Sequence, residues 1–182
     1  PVPVDLPYGV VLHSRSLSDN EYFLNQMGGD WYLDFSSSMS QVPDGAHKLP
    51  YIRVPTNADI WNSGKAAAIE SLTEQEISDL GFLTKAQLGQ MAQGSPGSYW
   101  YLFGEPNRYG HITGARFAPV FRYMMTSITD ADPTAKITSP SILNWEFTCN
   151  ACGGYTKGSL WLDEFRAAYL TQYGVEPPID IW

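Results

Sequence analysis

An unbroken run of aromatic and aliphatic residues, from Tyr99 to Phe103, constrains the fold more than any other part of this sequence. The run lacks the alternation of a strand with one wet face, so it predicts a strand covered on both faces, as in a parallel sheet. It is followed by Glu105 and Pro106, and proline cannot donate a further ladder hydrogen bond. We therefore expect Glu105 at the carboxyl end of a parallel strand, where such sheets carry functional residues. The alternative is that Glu105 only begins a surface turn.

Strand and helix signals alternate along the rest of the chain. Further strands are predicted at residues 8–13, 31–35, 51–54, 136–145 and 178–182. Helices are predicted to begin at the capping residues Ser18, Thr73, Thr84, Thr113 and Ser159. The helix after Thr113 carries a Phe and Met stripe at helical spacing, which is typical of a buried face. Alternation at these intervals requires parallel crossover connections.

Six predicted strands are compatible with an open doubly wound sheet or with part of a closed barrel. An open sheet that binds a nucleotide carries a glycine-rich turn after its first strand. Here the first strand continues into His13-Ser-Arg-Ser, which disfavours a nucleotide-dependent oxidoreductase. We therefore predict a single partial domain, residues 1–182, with the TIM (β/α)8-type barrel architecture and about six β/α units. Because a complete barrel takes about 250 residues, we expect a longer parent protein, or a partner chain or self-association that covers open sheet edges.

Composition limits the partners. The net charge is −8 and the Lys and Arg residues form no stripe, which argues against nucleic acid as a partner. No apolar stretch approaches the ~20 residues that span a bilayer, so no membrane span is expected. The two cysteines, Cys149 and Cys152, are interpreted as a short disulfide-closed loop, with free thiols as the alternative. A disulfide would indicate an exported protein, so we expect a secreted or cell-surface location.

Polar and aromatic residues follow the predicted strands and would converge on one cleft in a barrel. Carboxylates, amides, a guanidinium and indoles are the groups that bind sugar hydroxyls and stack on pyranose rings. For His13 a core role stays open, and for Arg53 a structural ion pair with Asp34 stays open. The candidate site residues are His13, Asp34, Arg53, Glu105, Asn107, Asn144, Trp145 and Trp182.

The segment Gly104-Glu-Pro-Asn107 resembles the end of the fourth strand in the large clan of (β/α)8-barrel retaining glycoside hydrolases, clan A. Members of that clan carry Asn-Glu-Pro, often as Gly-Asn-Glu-Pro-Asn, and residues 112–137 resemble the helix and strand that follow. The resemblance implies degradation of a polysaccharide or glycoside, with Glu105 as general acid/base and no cofactor. It also implies a nucleophilic Glu on a seventh strand, beyond residue 182. Gly104 stands where the clan has an Asn that contacts the sugar 2-hydroxyl.

Glycoside hydrolysis uses two carboxyl groups, roughly 5–5.5 Å apart in retaining enzymes and ~6.5–9.5 Å apart in inverting ones. Aromatic neighbours would desolvate Glu105 and raise its pKa, as an acid catalyst requires. Asp34 and Glu146 are further carboxylates, but neither lies where the resemblance places the nucleophile. The first hypothesis is therefore a glycosidase that is retaining if the barrel is complete. The second is a non-catalytic carbohydrate-binding or self-assembling module derived from such a barrel.

Overall fold

The computed structural model describes residues 9–12, 16–40, 42–147 and 155–182. The predictions made for His13, Cys149 and Cys152 lie outside these described residues. The strands are β1 (Gly9–Val11), β2 (Trp31–Leu33), β3 (His47–Lys48), β4 (Tyr51–Ile52), β5 (Tyr99–Leu102) and β6 (Lys136–Ile137). The helices are α1 (Leu17–Met27), α2 (Ala58–Asn62), α3 (Glu74–Asp79), α4 (Lys85–Gly94), α5 (Gly114–Ala131) and α6 (Gly158–Tyr173). Short 3₁₀ helices lie at Ile69–Ser71 and Pro106–Arg108.

The strands form two parallel three-stranded sheets, with the orders β1-β2-β3 and β4-β5-β6. Every ladder between neighbouring strands is parallel, as the sequence predicts. The backbone N–H of Tyr51 donates to the carbonyl of Ser36 (3.2 Å) and so joins the start of the second sheet to the end of β2. Within each sheet, the carboxyl ends of the described strands therefore lie at the same edge.

The predicted TIM (β/α)8-type barrel is wrong, because no barrel closes within the described residues. The strands are only two to four residues long. Pro50 separates β3 from β4 and cannot donate a ladder hydrogen bond, and Pro140 follows the end of β6. The predicted last strand at 178–182 is reduced to one isolated bridge, between Thr138 and Ile181. The sequence carries alternating strand and helix signals, but the described residues do not form the strand-to-strand hydrogen-bond ladders that about six full β/α units need.

Sequence signals for the helices are largely confirmed. Thr73 and Thr84 each form a complete capping box, and the side chain of Thr113 accepts a hydrogen bond at the start of α5. The prediction for the first helix is wrong by two residues, because Ser16 rather than Ser18 caps α1. Cap residues satisfy N–H groups that have no partner inside a helix, which explains why these positions set the helix starts.

The main core lies where α5 packs against α6. The predicted apolar stripe of α5 is confirmed, since its Phe and Met residues are buried. Gly114 lets the two helices approach closely: a Cβ atom there would lie 2.4 Å from the backbone nitrogen of Phe165. Aromatic rings fill the interface, with Trp161 and Phe165 stacked at 5.8 Å between ring centres. In the described part of the chain, no helix is both long enough and apolar enough to cross a membrane.

Candidate functional site

Two adjoining hollows open beside the carboxyl ends of β2 and β4. Their volumes are about 580 and 300 Å³, and they share the side chains of Phe35, Tyr51 and Arg53. We call them together the strand-end cleft. The remaining lining residues are Asp34, Ser36, Ser37, Val54, Thr56, Gly81, Leu83, Phe103 and Tyr109. A partly aromatic concave site of this size is typical of small-molecule binding.

Glu105 lies just after β5, as the sequence predicts. It does not line the strand-end cleft, but the preceding residue, Gly104, is hydrogen bonded to Tyr51 of the cleft wall. The backbone of Glu105 has the left-handed conformation (φ 55°), and its N–H donates to the carbonyl of Ser141 at 2.9 Å. Its side chain is 46% exposed, and one carboxylate oxygen lies 3.9 Å from a guanidinium nitrogen of Arg108. The aromatic enclosure expected from the sequence is therefore only partial among the described residues.

Two tyrosine hydroxyls surround the backbone next to Glu105. The N–H of Gly104 donates to the Tyr51 hydroxyl (3.2 Å), and the Tyr101 hydroxyl hydrogen bonds to that of Ser141. Burial raises the pKa of Tyr51 and of Tyr101, and the negative charge of Glu105 raises both further.

The same hydroxyls explain why position 104 is glycine. A Cβ atom on Gly104 would lie 2.5 Å from the Tyr101 hydroxyl oxygen and 3.4 Å from the Ser141 hydroxyl oxygen. The asparagine that the resemblance leads one to expect would therefore require the Tyr101 hydroxyl to move. Hydroxyl groups of Tyr101 and Ser141 occupy the space instead, so polar groups are present here without an amide.

Backbone strain is concentrated after the strands that border the cleft. Among the described residues, the non-glycine residues with positive φ are Phe35, Phe103, Glu105 and Asn144, which follow β2, β5 and β6. Such conformations are uncommon for non-glycine residues and cost of order 1–3 kcal/mol each. They are typical of functional sites, where the surrounding structure must hold a side chain in an unfavourable geometry.

Asp34 and Arg53 do not form the ion pair that the sequence left open. Asp34 is buried and pairs with Lys48, whose Nζ lies 2.8 Å from the carboxylate. Lys48 also donates to the carbonyl of Ser38 (2.6 Å), and so fixes the loop that follows β2. Arg53 instead donates to the carbonyl of Phe35 (3.2 Å) and leaves its guanidinium group in the cleft.

Asn107 is buried and holds the segment that follows β6. Its side-chain nitrogen donates to the carbonyls of Leu143 (2.5 Å) and Thr156 (2.8 Å), and its oxygen accepts from the N–H of Leu143 (2.8 Å). The side-chain amide of Asn107 therefore binds the backbone at two places, Leu143 and Thr156. Asn144 follows Leu143 in the chain. The carbonyl group of Asn144 accepts a hydrogen bond from the N–H of Gly158, the first residue of α6 (2.9 Å).

The structure brings Trp145 and Trp182 together, but in a different groove. Both indoles are exposed and line a hollow of about 410 Å³ that shares no lining residue with the strand-end cleft. The guanidinium group of Arg166 lies 5.6 Å from the Trp182 ring and pairs with Glu176 at 3.2 Å. These tryptophans are therefore not neighbours of Tyr51 and Phe35 in the cleft wall.

The additional carboxylates are engaged elsewhere. Asp34 is neutralised by Lys48, and Glu146 is exposed with an oxygen 3.6 Å from the Lys157 nitrogen. The described part of the chain contains no group of three or more His, Cys, Asp or Glu residues that could hold a metal ion.

Sequence reasoning missed the aromatic wall of the cleft. Phe35 and Tyr51 were treated as strand residues, although Phe35 directly follows the candidate Asp34 and Tyr51 lies two residues before the candidate Arg53. Lys48 was also missed, and its position in a two-residue strand gave no signal. In comparisons with known proteins, no protein-family model matches this chain, and no curated protein matches it.

Proposed function

We propose that the chain is part of a glycoside hydrolase-like domain that acts on a polysaccharide or glycoside, with Glu105 as the general acid/base. The observation that carries this proposal is the position of Glu105. It follows a parallel strand, in a left-handed backbone conformation, and its neighbour Gly104 is hydrogen bonded to Tyr51 of the aromatic cleft wall. Its carboxyl group is 46% exposed and is therefore accessible to a ligand.

Glu105 would donate its proton to the glycosidic oxygen as the bond to the anomeric carbon breaks, and would later accept one from water. A second carboxylate must attack the anomeric carbon or activate water. Asp34 and Glu146 are held in ion pairs with Lys48 and Lys157, so neither is assigned this role. The Tyr51 and Tyr101 hydroxyls, with raised pKa, stay protonated at neutral pH and can donate hydrogen bonds beside Glu105.

The test is the variant Glu105→Gln in the full-length protein. Removing a general acid/base lowers turnover by roughly 10²- to 10⁴-fold, so this loss is expected for glycosides with poor leaving groups. Sugar binding should be retained, because the amide keeps the shape of the side chain. The matched control is Glu146→Gln, an exposed Glu that is placed outside the cleft, for which turnover should be unchanged. Equal turnover of Glu105→Gln and wild type would remove Glu105 from the mechanism.

The second candidate is a carbohydrate-binding module without catalysis. Gly104 favours it, because the amide expected from the resemblance is absent and its place is filled. If this candidate is correct, the full-length protein should bind glycans and release no reducing ends. Both candidates imply a carbohydrate partner.

We extend the proposal to a secreted or cell-surface location, which a disulfide between Cys149 and Cys152 would support. Mass spectrometry of the native protein after alkylation measures their state. Two alkylated thiols before reduction would contradict the extracellular location.

A further inference from the structure

Arg53 gives the strand-end cleft a positive charge that no described carboxylate balances. It lines both hollows, and its hydrogen bond to the carbonyl of Phe35 uses one of the five N–H donors of the guanidinium group. The group also lies 5.9 Å from the centre of the Tyr51 ring. Among the described residues, no Asp or Glu oxygen lies within 4.0 Å of it, whereas Arg108, Arg122 and Arg166 all have such a partner.

The other ionisable groups of the cleft do not offset this charge. Asp34 is the acidic residue in the lining, and Lys48 neutralises it at 2.8 Å. Glu105 lies outside the lining, and a guanidinium nitrogen of Arg108 lies 3.9 Å from its carboxylate. The chain as a whole has a net charge of −8, so the positive charge is a local property of this cleft. Because surface charges are screened over about 8 Å at physiological salt, a ligand in the cleft responds mainly to Arg53.

An exposed aromatic ring stands beside this cation. Phe35 is 41% exposed, and its φ of 56° lies in the left-handed region, which is unfavourable for a bulky side chain. Its ring meets that of Tyr51 edge-on, with 5.6 Å between the ring centres. The residue that accepts the hydrogen bond from Arg53 therefore also presents an apolar surface to the same hollow.

We infer that the strand-end cleft binds an anionic sugar, an inference that rests on the proposed function and names its substrate class. The guanidinium group of Arg53 pairs with the carboxylate or sulfate of the sugar, since its planar set of donors can bind two oxygens at once. Phe35 and Tyr51 contact the apolar face of the ring. A combined charged and aromatic wall recognises an acidic sugar better than a neutral sugar, because a neutral sugar offers the guanidinium group only hydroxyl oxygens and no charged partner.

The experiment uses the full-length protein with Glu105→Gln, so that no probe is cleaved during calorimetry. The charged probes are tetragalacturonate, tetramannuronate and a sulfated galactan tetrasaccharide. Each has a neutral counterpart: the uronates after reduction of their carboxyl groups to alcohols, and the galactan after removal of its sulfate groups. At least one charged probe should bind about 10- to 100-fold more tightly than its neutral counterpart, the range for hydrogen bonds to charged groups. Preference for the uronates or for the sulfated probe identifies the anion.

Arg53→Gln in the same background should abolish the preference for the charged probe. Arg53→Lys should keep part of it, because a positive charge remains but the planar donors are lost. Arg166→Gln is the matched control: it removes the same charge outside the cleft and should leave binding unchanged. Circular dichroism checks that each variant is folded.

Two results would overturn the inference: no charged probe binds more tightly than its neutral form, or the preference survives in Arg53→Gln. Failure of the proposed function gives a different pattern. If wild type binds the charged probe through Arg53 but cleaves none of the probes, the anionic site stands and the hydrolase does not. If wild type cleaves neutral glycans through Glu105, and Arg53→Gln does not change this, the hydrolase stands and the anionic site does not.

Discussion

The buried ion pair below the cleft allows a sharp test, the substitution of Lys48 by methionine. The Lys48 and Asp34 side chains are 1% and 4% exposed, and their charged atoms are 2.8 Å apart. Lys48 also donates to the carbonyl of Ser38 at 2.6 Å, and the N–H of Ser36 donates to Asp34 at 3.0 Å. Methionine preserves most of the length and the apolar stem of lysine, so the change removes mainly the charge and its hydrogen bonds.

The expected loss of unfolding free energy for Lys48→Met is about 3–5 kcal/mol, the range for breaking a buried ion pair, because Asp34 keeps an uncompensated charge. The two hydrogen bonds from the Lys48 ammonium group, at about 1.5–3 kcal/mol each, give a similar total. Domains are stable by about 5–15 kcal/mol, so the variant should fold but melt roughly 6–20 °C lower.

Urea unfolding followed by tryptophan fluorescence measures the free energy, and an unchanged m-value shows that two-state unfolding is kept. The double variant Lys48→Met/Asp34→Leu should regain most of the loss, because neither charge remains. Lys85→Met is the control, since Lys85 and Asp130 form an exposed pair at 2.9 Å that is worth at most about 1 kcal/mol. A loss below about 1 kcal/mol for Lys48→Met, or a double variant no more stable than the single one, would refute the reasoning.

Two further predictions concern packing and pH. Gly114→Ala should lower the unfolding free energy by about 1–3 kcal/mol or more, because its Cβ would overlap the backbone of α6. The control is Gly94→Ala, which has open space around it and should be neutral or stabilising. Equal denaturation midpoints for the two variants would contradict this prediction. Burial alone would raise the pKa of Asp132, but hydrogen bonds from Thr134 and a backbone N–H outweigh it and lower that pKa. Its contribution is therefore present above the unfolded-state pKa of about 3.9 and is lost as pH falls through the lower folded-state pKa. Urea titrations from pH 7 to pH 2 should show a smaller acid-induced loss for Asp132→Asn than for wild type, and parallel curves would exclude this role.

Local features of the sequence predicted local structure well. The apolar run at 99–103 became the parallel strand β5, and the Phe and Met stripe became the buried face of α5. Both predictions rest on periodicity over consecutive residues, which backbone geometry converts directly into a buried face. The position of Glu105 after β5 followed from the same reasoning, because proline ends a ladder wherever it occurs.

Features that depend on distant residues were not predictable in this way. Barrel closure requires ladders of sufficient length between every pair of neighbouring strands, whereas the described strands have two to four residues. The strands that Pro50 and Pro140 follow, β3 and β6, have only two residues each. The partner of Asp34 is Lys48, fourteen residues further along, whereas the sequence suggested Arg53, at the end of another predicted strand. Which cation reaches a buried carboxylate depends on the side to which each side chain points, and alternation is undefined in a strand of two residues.

The distribution of strain and polar support favours the strand-end cleft as the functional edge of this protein. The α5–α6 interface and the helix caps follow ordinary rules of packing and capping, so they need only stability as an explanation. Phe35, by contrast, holds a left-handed conformation that costs roughly 1–3 kcal/mol, although its side chain is 41% exposed. Its exchange for glycine would remove this strain, and the exposed ring adds little to the core, so an aromatic side chain at this position requires a reason other than folding. Contact with a ligand in the cleft, whose wall Phe35 forms, supplies that reason.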